Sequence, residues 1–259
     1  MTTNQTIPRF NKNEKVLEIE HLRMSFGAQE VLKDVSMELY NGENLVVLGK
    51  SGSGKSVLIK CIVRLLNAGS GTIMAFGENV NLLQSAELSE LRKKIGFLFQ
   101  SGALYDSMTV KENLEFALKR IKKELSQKDR DQKILEALEN VGLADALNKM
   151  PSQLSGGMRK RISLARTIIV DPKIMLYDEP TTGLDPVTSD EISTLINKIQ
   201  KKYKTSSIII THDIECVRAT ADRILMLHDG EIYMDGDLKA YEGSEDPRIA
   251  SFFKSNLKS

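Results

Sequence analysis

Eight residues at positions 49–56, G-K-S-G-S-G-K-S, restrict the fold of this chain more than any other part of it. They match the phosphate-binding pattern G-x-x-x-x-G-K-[S/T] at every fixed position. The apolar run Leu45–Leu48 before them is typical of a buried strand, and the residues from Val57 to Val63 are typical of a helix. Glycines let successive N–H groups turn toward one anion, and the helix that follows presents its positive end to it. A merely flexible turn would not need these flanking elements, so we predict a nucleoside triphosphate site.

Every position of this loop is a candidate contact to phosphate. Lys55 is expected to reach the β- and γ-phosphates, and the Ser56 hydroxyl is expected to take a place on Mg²⁺. The predicted nucleotide contacts are Gly49, Lys50, Ser51, Gly52, Ser53, Gly54, Lys55 and Ser56.

Composition excludes several other classes of protein. The 36 Lys and Arg residues balance 35 Asp and Glu, and a formal charge of +1 gives no general attraction to nucleic acid. Cys61 and Cys216 are far apart and lack metal-site spacing, so we expect buried packing residues in a reducing compartment. No apolar stretch approaches the ~20 residues that span a bilayer, and the polar start, Met1 to Lys15, has no signal core. These features predict a cytoplasmic protein that reaches a membrane only through a partner.

The remaining pattern predicts an α/β fold with a mixed sheet. Residues 16–20 and 31–39 are typical of two strands of an antiparallel edge with a turn at Gly27, and residues 69–73 of a turn into another short strand. The apolar runs 173–177 and 207–210 flank an amphipathic helix, Val187–Tyr203, which is the pattern of a parallel strand-helix-strand unit.

Residues 101–151 change to a helical pattern. One stripe comprises Leu114, Ala117, Leu118, Ile121 and Leu125, and a second comprises Ile134, Leu135, Leu138 and Val141 before Gly142. We predict a P-loop nucleotide hydrolase core at residues 16–100 and 166–245, with an inserted α-helical subdomain at 101–165. A polar tail at 1–15 and a helical tail at 246–259 complete the division.

Acidic residues and a histidine follow two of the buried strands. Asp178 ends the run 174–177 and suits Mg²⁺ held mostly through water, and Glu179 is placed to polarise a water in line with the γ-phosphate. The carboxyl ends of parallel strands lie at the same edge of a sheet. His212 follows the run 207–210, so it should lie close to Asp178 at that edge. A lone histidine after a strand is more often structural, but this position favours a polar contact to the γ-phosphate.

Five further motifs occur in a familiar order. They are Phe26, Gln100, the run Leu154-Ser155-Gly156-Gly157-Met158, the run Gly183-Leu184-Asp185, and His212. With the phosphate loop and the acids at 178–179, they resemble the ATP-binding-cassette (ABC) ATPases along almost the whole chain. The resemblance implies ATP and Mg²⁺ as cofactors, and hydrolysis by Glu179, His212, Lys55 and Gln100.

The resemblance assigns the other motifs as well. Phe26 would stack on adenine, and Gln100 would join Ser56 and Asp178 at Mg²⁺. Ser155, Gly156 and Gly157 form the signature loop, which would cover ATP held by another copy. Asp185 lies in the D-loop of the family and would also contact ATP. Because the chain has one phosphate loop and one signature loop, two complete sites require a homodimer.

The signature loop departs from the usual family pattern. Met158 stands where the family usually has Gln, and a thioether cannot replace the hydrogen bonds of an amide. We expect the following helix to begin near Met158, with Ser155 to Gly157 as a second anion-binding helix terminus. The basic residues 159–161 crowd that start, where cations oppose the helix dipole. This indicates either a nearby phosphate, partner or membrane, or an ordinary solvated basic turn.

A narrower resemblance concerns the transported substrate. The run Gln100–Met108, the Met-ended signature and residues 246–249 resemble ATPases of the MlaF type, which serve mammalian-cell-entry (MCE) phospholipid transport systems. The implied partners are a permease that docks near Gln100–Met108, with Leu104, Tyr105 and Met108 as an apolar floor, and an MCE-type substrate-binding protein. The implied location is the cytoplasmic face of a bacterial inner membrane. Ordinary packing of the inserted helices is the alternative for the run after Gln100.

Three other functions are consistent with the motifs. The same motor could energise import or export of another solute through a different permease. A soluble ABC protein acting on nucleic acid or ribosomes usually carries two cassettes or a long coiled-coil insertion, and neither is found in this sequence. A nucleotide-binding regulator without hydrolysis is disfavoured because every catalytic position is filled.

Overall fold

The structure, a computed structural model, describes residues 11–253, with side chains from residue 14 onward. The strands in this part of the chain are β1 (Asn11–Phe26), β2 (Gln29–Asn41), β3 (Asn44–Leu48), β4 (Ser70–Ala75), β5 (Glu78–Asn79), β6 (Ile95–Leu98), β7 (Ile174–Asp178), β8 (Ser206–Thr211), β9 (Arg223–His228) and β10 (Glu231–Gly236). The α-helices are α1 (Lys55–Ile62), α2 (Ser85–Lys93), α3 (Val110–Ile121), α4 (Gln127–Asn140), α5 (Gly156–Ile168), α6 (Pro186–Tyr203), α7 (Ile214–Thr220), α8 (Leu238–Glu242) and α9 (Pro247–Phe253).

The strands form one mixed sheet in the order β5-β4-β1-β2-β10-β9-β3-β8-β7-β6. Neighbours from β9 through β3, β8 and β7 to β6 are parallel. The other side is antiparallel from β5 through β4 and β1 to β2, with a turn at Gly27. The predicted α/β fold with an antiparallel edge is therefore confirmed.

Both faces of the parallel sheet are covered. Val46 and Leu48 of β3 pack into one apolar cluster with α3 to α7, whereas Leu45 and Val47 pack into a second with β1, β2, α1 and α2. Successive side chains of a strand point to opposite faces, so every residue of β3 is buried. This arrangement leaves the carboxyl ends of β3, β6, β7 and β8 as the edge where loops converge.

The first strand is longer than the sequence analysis predicts. Alternation places Leu17 and Ile19 in the core, and a bulge with His21 at φ 50° shifts the register so that Leu22 and Met24 follow on the same face. The prediction stopped at the bulge because strict alternation ends there.

The helical region differs from its predicted stripes at two positions. Helix α3 ends at Ile121, so Leu125 lies beyond it, although Leu125 still packs against the same cluster. Leu135 is 45% exposed, because it is adjacent to the buried Ile134 and successive residues of a helix differ by about 100° in direction. Its assignment to the buried stripe was wrong.

Two elements cross the segment boundaries that the sequence analysis predicts. Strand β1 begins at Asn11, inside the predicted polar tail, and residues 1–10 lie outside the described part. Helix α5 runs without interruption across the proposed boundary at 165–166. Helix α9 occupies the start of the predicted C-terminal tail, and residues 254–259 lie outside the described part.

Two predictions from composition concern buried and membrane-spanning residues. Cys61 and Cys216 are buried as expected, and burial raises the pKa of both thiols to about 11. Among the helices within residues 11–253, none is both long and apolar enough to cross a bilayer.

Candidate active site

The glycine-rich loop joins β3 to α1, as the sequence predicts. Gly52 and Gly54 have φ angles of 82° and 101°, in the left-handed region that other residues rarely adopt. A Cβ at Gly54 would lie 2.9 Å from Cδ2 of Leu32, and a Cβ at Gly49 would lie 2.6 Å from the carbonyl oxygen of Leu227. Only glycine permits this backbone at this packing distance.

Lys55 is buried at the first position of α1. Its Nζ donates to the carbonyl oxygens of Gly49 at 2.7 Å and Lys50 at 3.0 Å, and it lies 3.5 Å from Oε1 of Glu179. Burial lowers the pKa of Lys55, although the carboxylates of Glu179 and Asp178 act in the opposite direction. The ammonium is thus held at the helix terminus where an anion is favoured.

Ser56 and Asp178 form the second contact across the site. Ser56 Oγ donates to Oδ1 of Asp178 at 2.9 Å, although 122 residues separate the two in sequence. They meet because only β8 lies between β3 and β7 in the sheet. A hydroxyl and a carboxylate are oxygen ligands that suit Mg²⁺. The pair supplies two oxygens, so it fits an ion that also takes oxygens from phosphate and water.

Glu179 is placed by an unusual backbone conformation. Its φ of 49° is in the left-handed region, and its N–H donates to the carbonyl oxygen of Ile210 on β8 at 2.9 Å. Its Oε2 accepts from Thr182 Oγ1 at 3.1 Å and lies 2.9 Å from Nδ1 of the half-exposed His212. The carboxylate is therefore fixed between Lys55 on one oxygen and His212 on the other.

These side chains share one open cavity of about 250 Å³. Its lining comprises Val31, Ser51, Gly52, Gly54, Lys55, Ser56, Val57, Gln100, Glu179 and His212. The structure thus brings together the predicted loop, the predicted base and two side chains from other strands. A lysine, a helix terminus, a hydroxyl–carboxylate pair and a held glutamate can bind a polyphosphate and activate a water beside it.

Lys160 is buried and is not part of a solvated basic turn. Lys160 is only 5% exposed, and its Nζ donates to the carbonyl oxygen of Gln100 and, at 3.5 Å, to that of Glu179. Desolvation lowers its pKa, against the attraction of Asp178 and Glu179. The solvated alternative is therefore wrong for Lys160. Arg159 is exposed, and Arg161 pairs with Glu191 at 3.5 Å.

The signature loop lies outside this cavity. Helix α5 begins at Gly156, two residues earlier than expected, and Ser155 caps it by accepting from Met158 N at 3.2 Å. A Cβ at Gly157 would lie 2.5 Å from Cγ2 of Thr188 on α6. The Met158 side chain packs against the apolar core. At this position the chain therefore has an apolar packing contact where the family's usual Gln could make a polar one.

Asp185 is joined to the signature loop through the same threonine. It caps α6 by accepting from Thr188 N at 3.1 Å and from Thr188 Oγ1 at 2.6 Å. The Thr188 hydroxyl bond lowers the pKa of Asp185, with the backbone bond as the next cause. Asp185 and Ser155–Gly157 do not line the cavity at Lys55.

Phe26 also lies outside the set that lines the cavity. It ends β1 and is 48% exposed, so its ring is available for stacking. Its role as an adenine platform stays a prediction.

Two residues with contacts near the site, Asp213 and Asn113, were not identified from the sequence. Thr181 Oγ1 donates to Oδ2 of Asp213 at 2.8 Å, and Asp213 caps α7 by accepting from Glu215 N at 3.0 Å. An acid directly before a helix is the signal that would have indicated this cap. The contact ties the loop after Glu179 to the loop after His212.

Asn113 is the other residue that the sequence analysis missed. It is completely buried in α3, where its amide donates to the carbonyl oxygens of Tyr105, Met108 and Thr109 at 3.0–3.1 Å and accepts from Tyr105 N at 2.8 Å. A buried Asn inside an apolar stripe, just after a Thr-x-x-Glu capping box, was the available signal. Asn113 fixes the shape of the loop that follows Gln100.

The fold and this cavity define a P-loop nucleotide hydrolase. A family model described as ABC transporter matches residues 32–182. The chain belongs to the ABC transporter family, as an ATP-binding and ATP-hydrolysing subunit.

Named relatives agree on this class and differ in cargo. The chain is 34% identical over 242 residues to the intermembrane phospholipid transport system ATP-binding protein MlaF of Haemophilus influenzae, covering 93% of this chain and 91% of that protein. It is 37% identical over 236 residues to the probable ribonucleotide transport ATP-binding protein mkl of Mycobacterium leprae, covering 91% and 68%. It is also 37% identical over 226 residues to the methionine import ATP-binding protein MetN of Rhizobium johnstonii, covering 87% and 62%.

A solved structure supports the fold. The dimeric post-hydrolysis structure of the ATP-binding cassette MJ0796, bound to ADP and Pi, matches with a TM-score of 0.78 at 31% identity. The match covers 86% of this chain and 98% of that chain.

Proposed function

We propose that this subunit energises phospholipid transport between the membranes of a bacterial envelope, as part of an MCE-type system. The observation that carries the proposal is the similarity to MlaF, which extends over 93% of this chain and 91% of that protein. The run from Gln100 to Met108 and the Met-ended signature support it through the resemblance described above.

The cavity residues receive distinct roles in ATP hydrolysis. Lys55 and the loop amides bind the β- and γ-phosphates, and the buried Ser53 Oγ, which has no partner among the described atoms, suits a loop completed by a ligand. Ser56, Asp178 and Gln100 would hold Mg²⁺, and the ion would neutralise charge that develops on the phosphates. Glu179 orients and deprotonates the attacking water, and His212 contacts the γ-phosphate.

Two copies of the chain complete the site. Ser155 to Gly157 and Asp185 lie apart from the cavity at Lys55, although the family resemblance assigns them to nucleotide. A homodimer in which each copy covers ATP on the other removes this separation. The dimeric form of the MJ0796 cassette supports this arrangement.

The membrane partner would dock on the loop after Gln100. Tyr105 is 46% exposed, and its ring lies 5.1 Å from that of Phe116, over which Arg120 stacks at 5.0 Å. Beside this surface, α2 and the end of α3 line a cleft. It holds the basic residues Arg92, Lys93, Lys119, Arg120 and Lys123 and one acidic residue, Glu90, which pairs with Lys93. An aromatic and basic surface at the junction of core and helical subdomain suits a permease helix on the cytoplasmic face of the inner membrane, with an MCE-type protein beyond it.

A second candidate function is transport of another solute. The similarity to MetN favours it, because the identity is as high as that to the other relatives. That match covers only 62% of MetN, and we therefore place it second.

The test is to purify the chain from detergent-solubilised membranes with the proteins that it retains. We expect a permease and an MCE-type protein by mass spectrometry, with bound phospholipid. Reconstituted into vesicles, the complex should move labelled phospholipid with ATP, and the Glu179→Gln complex should not. Stimulation by methionine or another small solute, with no lipid movement, would refute the phospholipid assignment and support the second candidate.

A further inference from the structure

Lys160 connects three parts of the molecule. Its buried ammonium donates to the carbonyl oxygen of Gln100 and lies 3.5 Å from that of Glu179, and it belongs to the second turn of α5. Burial of a lysine ammonium costs free energy unless its N–H groups find hydrogen-bond acceptors. Lys160 finds them in two backbone carbonyl oxygens beside the cavity, so its side chain is held in one place.

The same face of α5 carries the rest of the loop after Gln100. A Cβ at Gly102 would lie 2.7 Å from Ser163 Oγ, and the Arg166 guanidinium stacks 5.6 Å from the ring of Tyr105. Residues 160, 163 and 166 are three apart and therefore share one side of the helix. This side of α5 follows the loop from the cavity to the exposed Tyr105.

Glu179 needs support at its backbone. Its left-handed conformation is unfavourable for a residue with a side chain, and such conformations persist only where the surroundings hold them. The N–H is held by Ile210, and the carbonyl oxygen is the group that Lys160 reaches. A shift of this peptide would move the carboxylate relative to Lys55 and His212.

We propose that Lys160 is a positioning residue through which α5 holds Gln100 and Glu179 in their active arrangement. The inference rests on the proposed roles of these residues. Because α5 begins at the signature loop, Lys160 also ties that loop to the backbone of Glu179 and to the loop after Gln100.

The experiment compares Lys160→Met, which keeps the length and removes the ammonium, with Lys201→Met, an exposed lysine on α6. ATP hydrolysis is measured on the full chain purified with the membrane proteins that it retains. We expect kcat of Lys160→Met to fall about 10- to 100-fold, the loss typical of a misplaced catalytic group, with KM within about 3-fold of wild type. Hydrogen exchange at residues 100–105 should become faster, and Lys201→Met should match wild type in both measurements.

Wild-type kcat in Lys160→Met, or a raised KM with unchanged kcat, would overturn the proposal. If Lys160→Met does not fold, Lys160→Gln replaces it. Its side chain is one atom shorter and carries no charge, so it should hold the two carbonyl oxygens less well than Lys160 does. We therefore expect kcat to fall again, and wild-type kcat in this variant would likewise overturn the proposal. A wild-type complex that hydrolyses ATP without moving lipid would refute the phospholipid assignment and leave this comparison intact.

Discussion

His212 Nδ1 lies 2.9 Å from Oε2 of Glu179, so the histidine that follows β8 and the carboxylate that follows β7 meet at one edge of the sheet. The other carboxylate oxygen of Glu179, Oε1, lies 3.5 Å from Nζ of Lys55. Glu179, Lys55 and His212 thus line one cavity, and the proposed role of Glu179 as the base there gives the first prediction.

Glu179→Gln should lower kcat for ATP hydrolysis by about 10²- to 10⁴-fold, because the amide keeps the shape of the side chain and cannot take a proton. Binding of ATP should persist, since the phosphate contacts are unchanged. Phosphate release and nucleotide binding measure the two effects. Glu20→Gln, an exposed carboxylate on β1, is the control and should leave both unchanged. Equal turnover in Glu179→Gln and wild type would show that another group activates the water.

Lys55→Met should abolish ATP binding and change how stability depends on pH. Burial lowers the folded-state pKa of Lys55 below its value of 10.5, so between these two pKa values the unfolded chain binds more protons. Wild type should therefore gain stability relative to Lys55→Met as pH rises toward 10.5. Thermal unfolding of both proteins from pH 7 to pH 10 measures the difference in Tm. A difference that stays constant or moves the other way would contradict the lowered pKa.

Gly157→Ala should destabilise the chain by about 1–3 kcal/mol, because its Cβ would overlap Cγ2 of Thr188. Thr188→Ser removes that methyl group and keeps the hydroxyl that bonds Asp185. In the Thr188→Ser background the alanine should cost nothing, since alanine favours a helix over glycine by ~1 kcal/mol. Denaturant unfolding of the four proteins tests the coupling. Additive effects would mean that the two residues do not meet.

Asn113→Ala should lower the free energy of unfolding by at least about 2 kcal/mol, because it leaves several buried backbone groups without partners. The loop from Tyr105 to Thr109 should then become a site of limited proteolysis, and retention of the membrane proteins in detergent should fall. Asn67→Ala, an exposed amide, serves as the control for both readouts. Unchanged protection of the loop would contradict the role assigned to Asn113.

Local motifs explain how much of the site was predictable. Lys55 and Ser56 open α1 after the loop that follows β3, Asp178 ends β7, and His212 follows β8. A parallel sheet brings the carboxyl ends of such strands to one edge whatever the loops between them. The predicted strand-helix-strand unit and antiparallel edge were found for the same reason, since their patterns are local.

The side of a helix on which each residue lies was harder to predict from the sequence. The basic residues 159–161 look alike in sequence, yet steps of about 100° turn Arg159 outward and Lys160 into the core. The same geometry exposes Leu135 beside buried Ile134. The bulge at His21 hid the second half of β1, because a register shift depends on the partner strand.

The account depends most on each copy lending its Ser155 edge to nucleotide on the other. The direct measurement is the mass in solution of the Glu179→Gln chain, which we expect to retain ATP. It is made with Mg²⁺ and ATP, for the chain alone and with its membrane partner. We predict two copies of the chain with ATP, and loss of the contact between them in Ser155→Arg. A single copy with ATP under both conditions, or a pair that Ser155→Arg leaves intact, would contradict it.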